Sequence, residues 1–235
     1  MRRAVVIALG LLAFAPAGPA AASLLGRCPP RPPATTHRII QPRWLSGAVV
    51  TEYYPIREAW FRGRLVHAPG LSGRHREDWL YGPHGVVMNG EGLGADGRFY
   101  HFAGPYDAPW VNRFGAVTLP CWNGTWTDGE PAWLSFAWWQ RVRFARGRSR
   151  ALPFWHTVAV DPAVIPLGSR VFIPAYCDTP AHGWFTALDT GGAIIAYHFD
   201  VYRPPPATLE LRALRNQKVF VVPPGRTPRS HVGCR

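Results

Sequence analysis

Lysine is almost missing from this chain of 235 residues: Lys218 stands alone beside 25 arginines. The bias puts the net charge of +12 on guanidinium groups. Beyond the first residues no apolar run reaches the roughly 20 residues that a membrane-crossing helix needs, which excludes a permanent span in the body of the chain. No Cys-x-x-Cys or His-x-x-x-His spacing occurs, so a zinc site has no ligand set to draw on. No metal or other cofactor is expected. Nucleic-acid-binding motifs and internal repeats are absent too, and a nucleic-acid partner would rest on charge alone. Long helical patterns are hard to find, which leaves a mostly β chain.

What is present begins with a leader. Met1-Arg-Arg-Ala is followed by an apolar run from Val5 to about Phe14 and then by Pro16-Ala-Gly-Pro-Ala-Ala-Ala22-Ser23. Basic, apolar and small-residue parts in that order form a secretory signal peptide, residues 1–22. Cys28 follows Arg27, a poor lipoprotein cleavage site, so an exported protein is expected, in the periplasm, at the outer envelope or secreted. Residues 23–46 hold Pro29-Pro-Arg-Pro-Pro33 and read as an extended linker or arm. Four cysteines, Cys28, Cys121, Cys177 and Cys234, remain in the exported part and suggest two disulfides. Three pairings are possible and the sequence does not choose; tying the termini, Cys28 with Cys234 and Cys121 with Cys177, is the arrangement favoured. On an exported chain, a basic surface fits polyanionic cell-wall material.

Ala48-Val-Val-Thr-Glu-Tyr-Tyr-Pro55 reads as a strand, with Glu52 either approaching the active site or, the favoured account, a surface or rim acid. Residues 56–152 are rich in Gly, Trp and Tyr and alternate turn signals with short apolar pieces, as in Arg98-Phe-Tyr-His-Phe102 and Trp133-Leu-Ser-Phe-Ala-Trp138. Most of the 11 tryptophans cluster there. Core packing accounts for most of them, and about two or three are expected to line a groove, since flat aromatic faces suit sugar rings. The basic run from Arg141 to Arg150 reads as a solvated strand and turn. Near the end, Leu209, Leu211 and Leu214 suggest a short helix over 207–216, Lys218 to Val222 a closing strand, and 223–235 an irregular tail.

Two stretches carry chemistry. In Thr186-Ala-Leu-Asp-Thr-Gly-Gly-Ala-Ile-Ile-Ala-Tyr-His-Phe-Asp-Val-Tyr202 a Gly-Gly pair separates Asp189 from Asp200. By strand alternation Trp184, Thr186 and Leu188 face one way, Phe185 and Ala187 the other. Tyr197, Phe199 and Val201 share one face of the next strand; His198, Asp200 and Tyr202 share the opposite one. A carboxylate mid-strand among aromatics is costly unless it has a partner or a task. Upstream, Val158-Ala-Val-Asp-Pro-Ala-Val-Ile-Pro-Leu-Gly-Ser-Arg-Val-Phe172 reads as strand, turn, strand, with Asp161 at the start and a turn at Pro166-Leu-Gly168.

These stretches resemble the three-aspartate (3D) domain of MltA-type lytic murein transglycosylases and related peptidoglycan-cleaving proteins. Asp161, Asp189 and Asp200 fall on its three acid positions, over about residues 156 to 202. One departure is Ile195-Ala196, where the family has Lys-Gly. The resemblance implies a six-stranded double-psi β-barrel, residues 47–222, with 153–222 as barrel core and 56–152 as a Gly/Trp-rich β insertion or second subdomain. It further implies cleavage of peptidoglycan glycan between N-acetylmuramic acid and N-acetylglucosamine, leaving 1,6-anhydro ends, by a protein expected to act as a monomer.

Such cleavage needs a proton donor on the leaving oxygen, and a carboxyl serves near neutral pH only if burial or a second carboxylate raises its pKa. Asp200, with Asp189 on the adjoining strand, is offered both. The resemblance puts Asp200 in the acid/base role and Asp189 beside it. Thr190, Gly191 and Gly192 would form a loop that lets backbone approach the sugar. Asp161 has two readings, a part in catalysis or substrate binding, or an Asp-Pro turn holding the barrel corner. His198 is a candidate substrate contact or a structural hydrogen bond. The alternative function is a non-catalytic wall-binding or expansin-like wall-loosening module on the same barrel.

Overall fold

The computed structural model describes residues 37–82, 84–104, 142–191, 194–228 and 231–234, together with the backbone of 110–112, 117–119 and 135–137. The leader, Cys28, Cys121, Gly192 and the side chains of Trp110, Trp122, Trp126, Trp133, Trp138 and Trp139 lie outside the described residues.

Six strands close into a barrel: β1 (Arg43–Tyr53), β11 (Thr157–Ala159), β12 (Arg170–Phe172), β13 (Trp184–Asp189), β14 (His198–Tyr202) and β15 (Ala213–Val222). Around the barrel they run β1-β14-β11-β13-β12-β15, with β15 paired back to β1. The pairs β1–β14 and β11–β13 are parallel and the others antiparallel. The alternation expected from sequence fills the interior: Phe185 and Ala187 from β13 and Phe199 and Val201 from β14 meet Val50, Val158, Val171, Val219 and Val221. Every one of these is at most 2% exposed. Closure leaves no unpaired edge, so each strand needs only one apolar face.

The chain between β1 and β11 builds outside the barrel. Strands β2 (Ile56–Arg57), β5 (Glu91–Leu93), β6 (Phe99–Phe102) and β10 (Phe144–Arg146) form a sheet in the order β10-β6-β5-β2. β3 (Leu65–His67) pairs with β4 (Arg74–Arg76), and β7 (Trp110–Asn112) lies between β8 (Val117–Leu119) and β9 (Ser135–Ala137). Two short helices, α1 (Glu77–Tyr81) and α2 (Val86–Asn89), cover a separate core of Trp79, Leu80, Tyr81, Val86, Tyr100 and Phe144. Trp79 is completely buried, its indole N–H donating to the Ile56 carbonyl at 2.7 Å, so it is a core residue.

Four expectations are corrected. Residues 207–212 are not helical, and β15 begins at Ala213. Leu209 and Leu211 are 39% and 77% exposed, so they offer no buried stripe; the segment is instead pinned by Trp60 Nε1 on the Ala207 carbonyl and by Tyr54 on the Glu210 backbone. Among the described residues a disulfide joins Cys177 to Cys234, where the expected pairs were Cys28 with Cys234 and Cys121 with Cys177; it ties the tail to the turn after β12. Glu52 is no rim acid: its side chain is 2% exposed and is held by Arg203, Arg212 and Tyr176. The basic run is not all solvated either, because Arg148 ties the outer sheet to the barrel. It binds Glu91 at 3.1 Å and the Tyr202 hydroxyl at 2.5 Å, and lies over the Phe99 and Phe154 rings.

Candidate active site

Asp189 and Asp200 do not lie on adjoining strands; β11 runs between them. Ala159 of β11 is the register partner of Asp200 on one side and of Asp189 on the other. On the far side of β14, Thr51 is the register partner of Asp200. A single cross-strand row therefore reads Thr51, Asp200, Ala159, Asp189, and partners in such a row share a face. In that row the residue between the two acids is an alanine.

Simple alternation would have sent Asp189 the other way. Residues 185, 187 and 189 are two apart, and Phe185 and Ala187 point into the core. The pairing of β11 with β13 shifts, however: Val158 partners Ala187, but Ala159 partners Asp189, and Leu188 is skipped. A bulge of one residue flips every later side chain to the other face. Here it takes Asp189 off the interior and sets it level with Asp200.

Each acid has distinct company. Thr51 Oγ1 donates to Asp200 Oδ1 at 2.7 Å and lies 2.8 Å from His198 Nε2. The Tyr53 hydroxyl donates to Asp189 Oδ2 at 2.7 Å, and the Arg150 guanidinium stands 3.6 Å from Asp189 Oδ1. Burial pushes the Asp200 carboxyl up to about 7, outweighing the opposing pull of the Thr51 hydroxyl, with smaller help from the like charges of Asp189 and Glu52. A carboxyl raised that far keeps its proton much closer to neutral pH than an ordinary aspartate, as a general acid must.

Asp161 sits elsewhere. It is fully buried; its Oδ1 accepts the Ala163 N–H at 3.1 Å and its Oδ2 the Ala196 N–H at 2.8 Å. Its carbonyl takes the Val164 and Ile165 amides. Asp161 thus holds both its own turn and the loop leading into β14. Ala196 has φ 57°, the left-handed region that favours glycine, so the Asp161 hydrogen bond supports a strained residue. Thr190 is exposed at the end of β13. A Cβ on Gly191 would come 2.9 Å from Ile194 Cγ1, so its bareness serves loop packing against a buried isoleucine. His198 and Asp200 share the outward face, as expected.

Thr51, Tyr53 and Arg150 join the site from outside the three-aspartate motif. For the first two a signal existed: in β1 they alternate with Val50, so a strand with Val50 inward turns both to the outer face. Arg150 had none, because it approaches Asp189 only through the fold.

A closed barrel carrying two carboxylates in one outer row is the class that this fold and site define. Residues 156–213 match the family model described as the 3D domain, so the chain carries a 3D domain there. The cell wall-binding protein YocH of Bacillus subtilis (strain 168) is 51% identical over 47 residues, which are 20% of this chain and 14% of that protein. Among solved structures, the membrane-bound lytic murein transglycosylase of Agrobacterium tumefaciens is 12% identical over 78% of this chain and 77% of its own, with a TM-score of 0.40. E. coli MltA with bound chitohexaose is 16% identical over 76% and 73%, with a TM-score of 0.39.

Proposed function

We propose that this protein is a peptidoglycan lytic transglycosylase in which Asp200 is the single general acid and base. The observation that carries the reading is a carboxyl with proton affinity near neutrality in a row with a second carboxylate, inside the segment that matches the 3D domain. Asp200 would protonate the glycosidic oxygen as the bond to the muramic anomeric carbon breaks. It would then take the proton from the sugar's own 6-hydroxyl as that oxygen closes on the same carbon. The sum is one bond broken, one formed, and the acid restored, with no water consumed. Asp189, held by Tyr53 and Arg150, stabilises positive charge at the anomeric centre and keeps Asp200 protonated. Asp161 acts by positioning, through Ala196 and the loop before β14. The exposed guanidinium of Arg150 would meet the wall's carboxylates. The reading includes double-psi connectivity for the barrel, the division into leader, arm, barrel, insertion and tail given above, export, and action as a monomer.

A second reading, a wall-binding module without catalysis, is favoured by one observation: a relative 51% identical over 47 residues is named for cell-wall binding. Digestion of purified cell wall, with fragments analysed by mass spectrometry, separates the two. Anhydro ends from wild type and none from Asp200→Asn are expected. Reducing ends would mean a hydrolase, and binding without fragments would mean a wall-binding module.

A further inference from the structure

Thr51 Oγ1 sits between two partners, Asp200 Oδ1 at 2.7 Å and His198 Nε2 at 2.8 Å. A hydroxyl has one proton to give. An ionised carboxylate only accepts, so that proton goes to Oδ1. The Thr51 oxygen can then only accept from His198, whose Nε2 must carry hydrogen. The three groups run in one direction, from His198 N–H through Thr51 O–H to Asp200. The barrel builds this order: β1 and β14 are parallel, Thr51 is level with Asp200, and His198 is two residues earlier on the same strand face.

We propose that His198 is a positioning residue, which by fixing the Thr51 hydroxyl on Oδ1 confines the working proton of Asp200 to Oδ2. A proton on Oδ1 would confront the Thr51 proton, and reversing the chain would need His198 Nε2 bare. Oδ2 is thereby left as the oxygen that gives and recovers the proton. The other titratable groups around Asp200 are Asp189 from β13, Glu52 and Tyr53 from β1, and Tyr176 from the turn after β12. None of them holds Thr51. The inference rests on the reading of Asp200 as the acid, and it gives His198 a task other than substrate contact.

The test is an NMR titration of the Asp200 carboxyl carbon in the full chain, wild type against Thr51→Val, His198→Ala and His198→Gln, with thermal melts to verify folding. Thr51→Val should raise the titration midpoint by about one unit, since a donor to the charged form is lost. His198→Ala should raise it by roughly half as much. His198→Gln, whose side-chain amide can donate to Thr51, should restore the wild-type midpoint and is the variant to use if the alanine form does not fold. In turnover on cell wall, His198→Ala should lower kcat and leave KM unchanged. A wild-type midpoint in His198→Ala, or a raised KM with unchanged kcat, overturns the proposal. Failure of the functional reading looks different: no fragments are released from the wall, while the carboxyl titrations still shift as described.

Discussion

Glu58 in the outer sheet and Asp200 on the barrel are both carboxylates drawn out of water, and they end with opposite proton affinities. Glu58 is 3% exposed. Burial pushes its pKa up, but the His75 ring at 3.0 Å and the Ala95 and Arg76 amides at 2.8 and 2.7 Å outweigh that and leave it lowered. Asp200 accepts one hydrogen bond among the described residues, from Thr51, and has two carboxylates as neighbours; it is raised. Burial alone therefore does not make an acid. The supply of donors and the sign of nearby charge decide: they leave the first carboxyl easier to ionise than in water and the second easier to protonate.

The contrast breaks first at Asp200. Asp200→Asn should lower release of anhydro fragments by a factor of about 10²–10⁴, the range for a lost general acid. Wild-type turnover should fall as pH rises through about 7. Stability follows the same sign: a raised carboxyl binds its proton more tightly folded than unfolded, so stability declines as pH rises from the ordinary carboxylate range through about 7. Denaturant melts of Asp200→Asn should show that decline removed.

Glu58→Gln comes next and should act only on stability. A loss of about 1–3 kcal/mol at neutral pH is expected, since buried donors lose a charged acceptor. The lowered pKa makes the Glu58 contribution present above the ordinary carboxylate range and lost as pH falls through its folded value. The variant should therefore flatten the acid side of the stability curve and leave the upper pH limit of turnover in place. Asp189→Asn sharpens the comparison from the other side: removing a like charge should move that upper limit to lower pH by up to about one unit, read from the pH dependence of kcat/KM. Ala196→Gly should give the smallest effect, a gain of about 0.5–1 kcal/mol in a thermal melt, by relieving a left-handed alanine.

Much of this was legible from residue order. Alternation at Phe185, Ala187, Phe199 and Val201 identified the inward faces, and the Pro166-Leu-Gly168 turn stands as expected, with the Ser169 amide on the Pro166 carbonyl and Gly168 at φ 83°. The side Asp189 takes was not legible, because a bulge belongs to a strand pair and not to a strand. The Cys177–Cys234 pairing was equally hidden, since linking the chain ends to each other ignores where the fold brings the tail. Glu52 misled because a strand position facing inward at the barrel end can hold an acid once two arginines come to meet it.

The order of residues determined that this chain would be built of strands, which faces would seek the interior, and which acids belong to a 3D domain; these are local matters of side-chain polarity and spacing. Only the closed barrel decided which groups share a row. Pairing across strands put Thr51, Asp200 and Asp189 level, Arg150 beside them and Asp161 beneath the loop. A carboxyl's proton affinity depends on such neighbours, drawn from distant parts of the chain, and no local pattern encodes them.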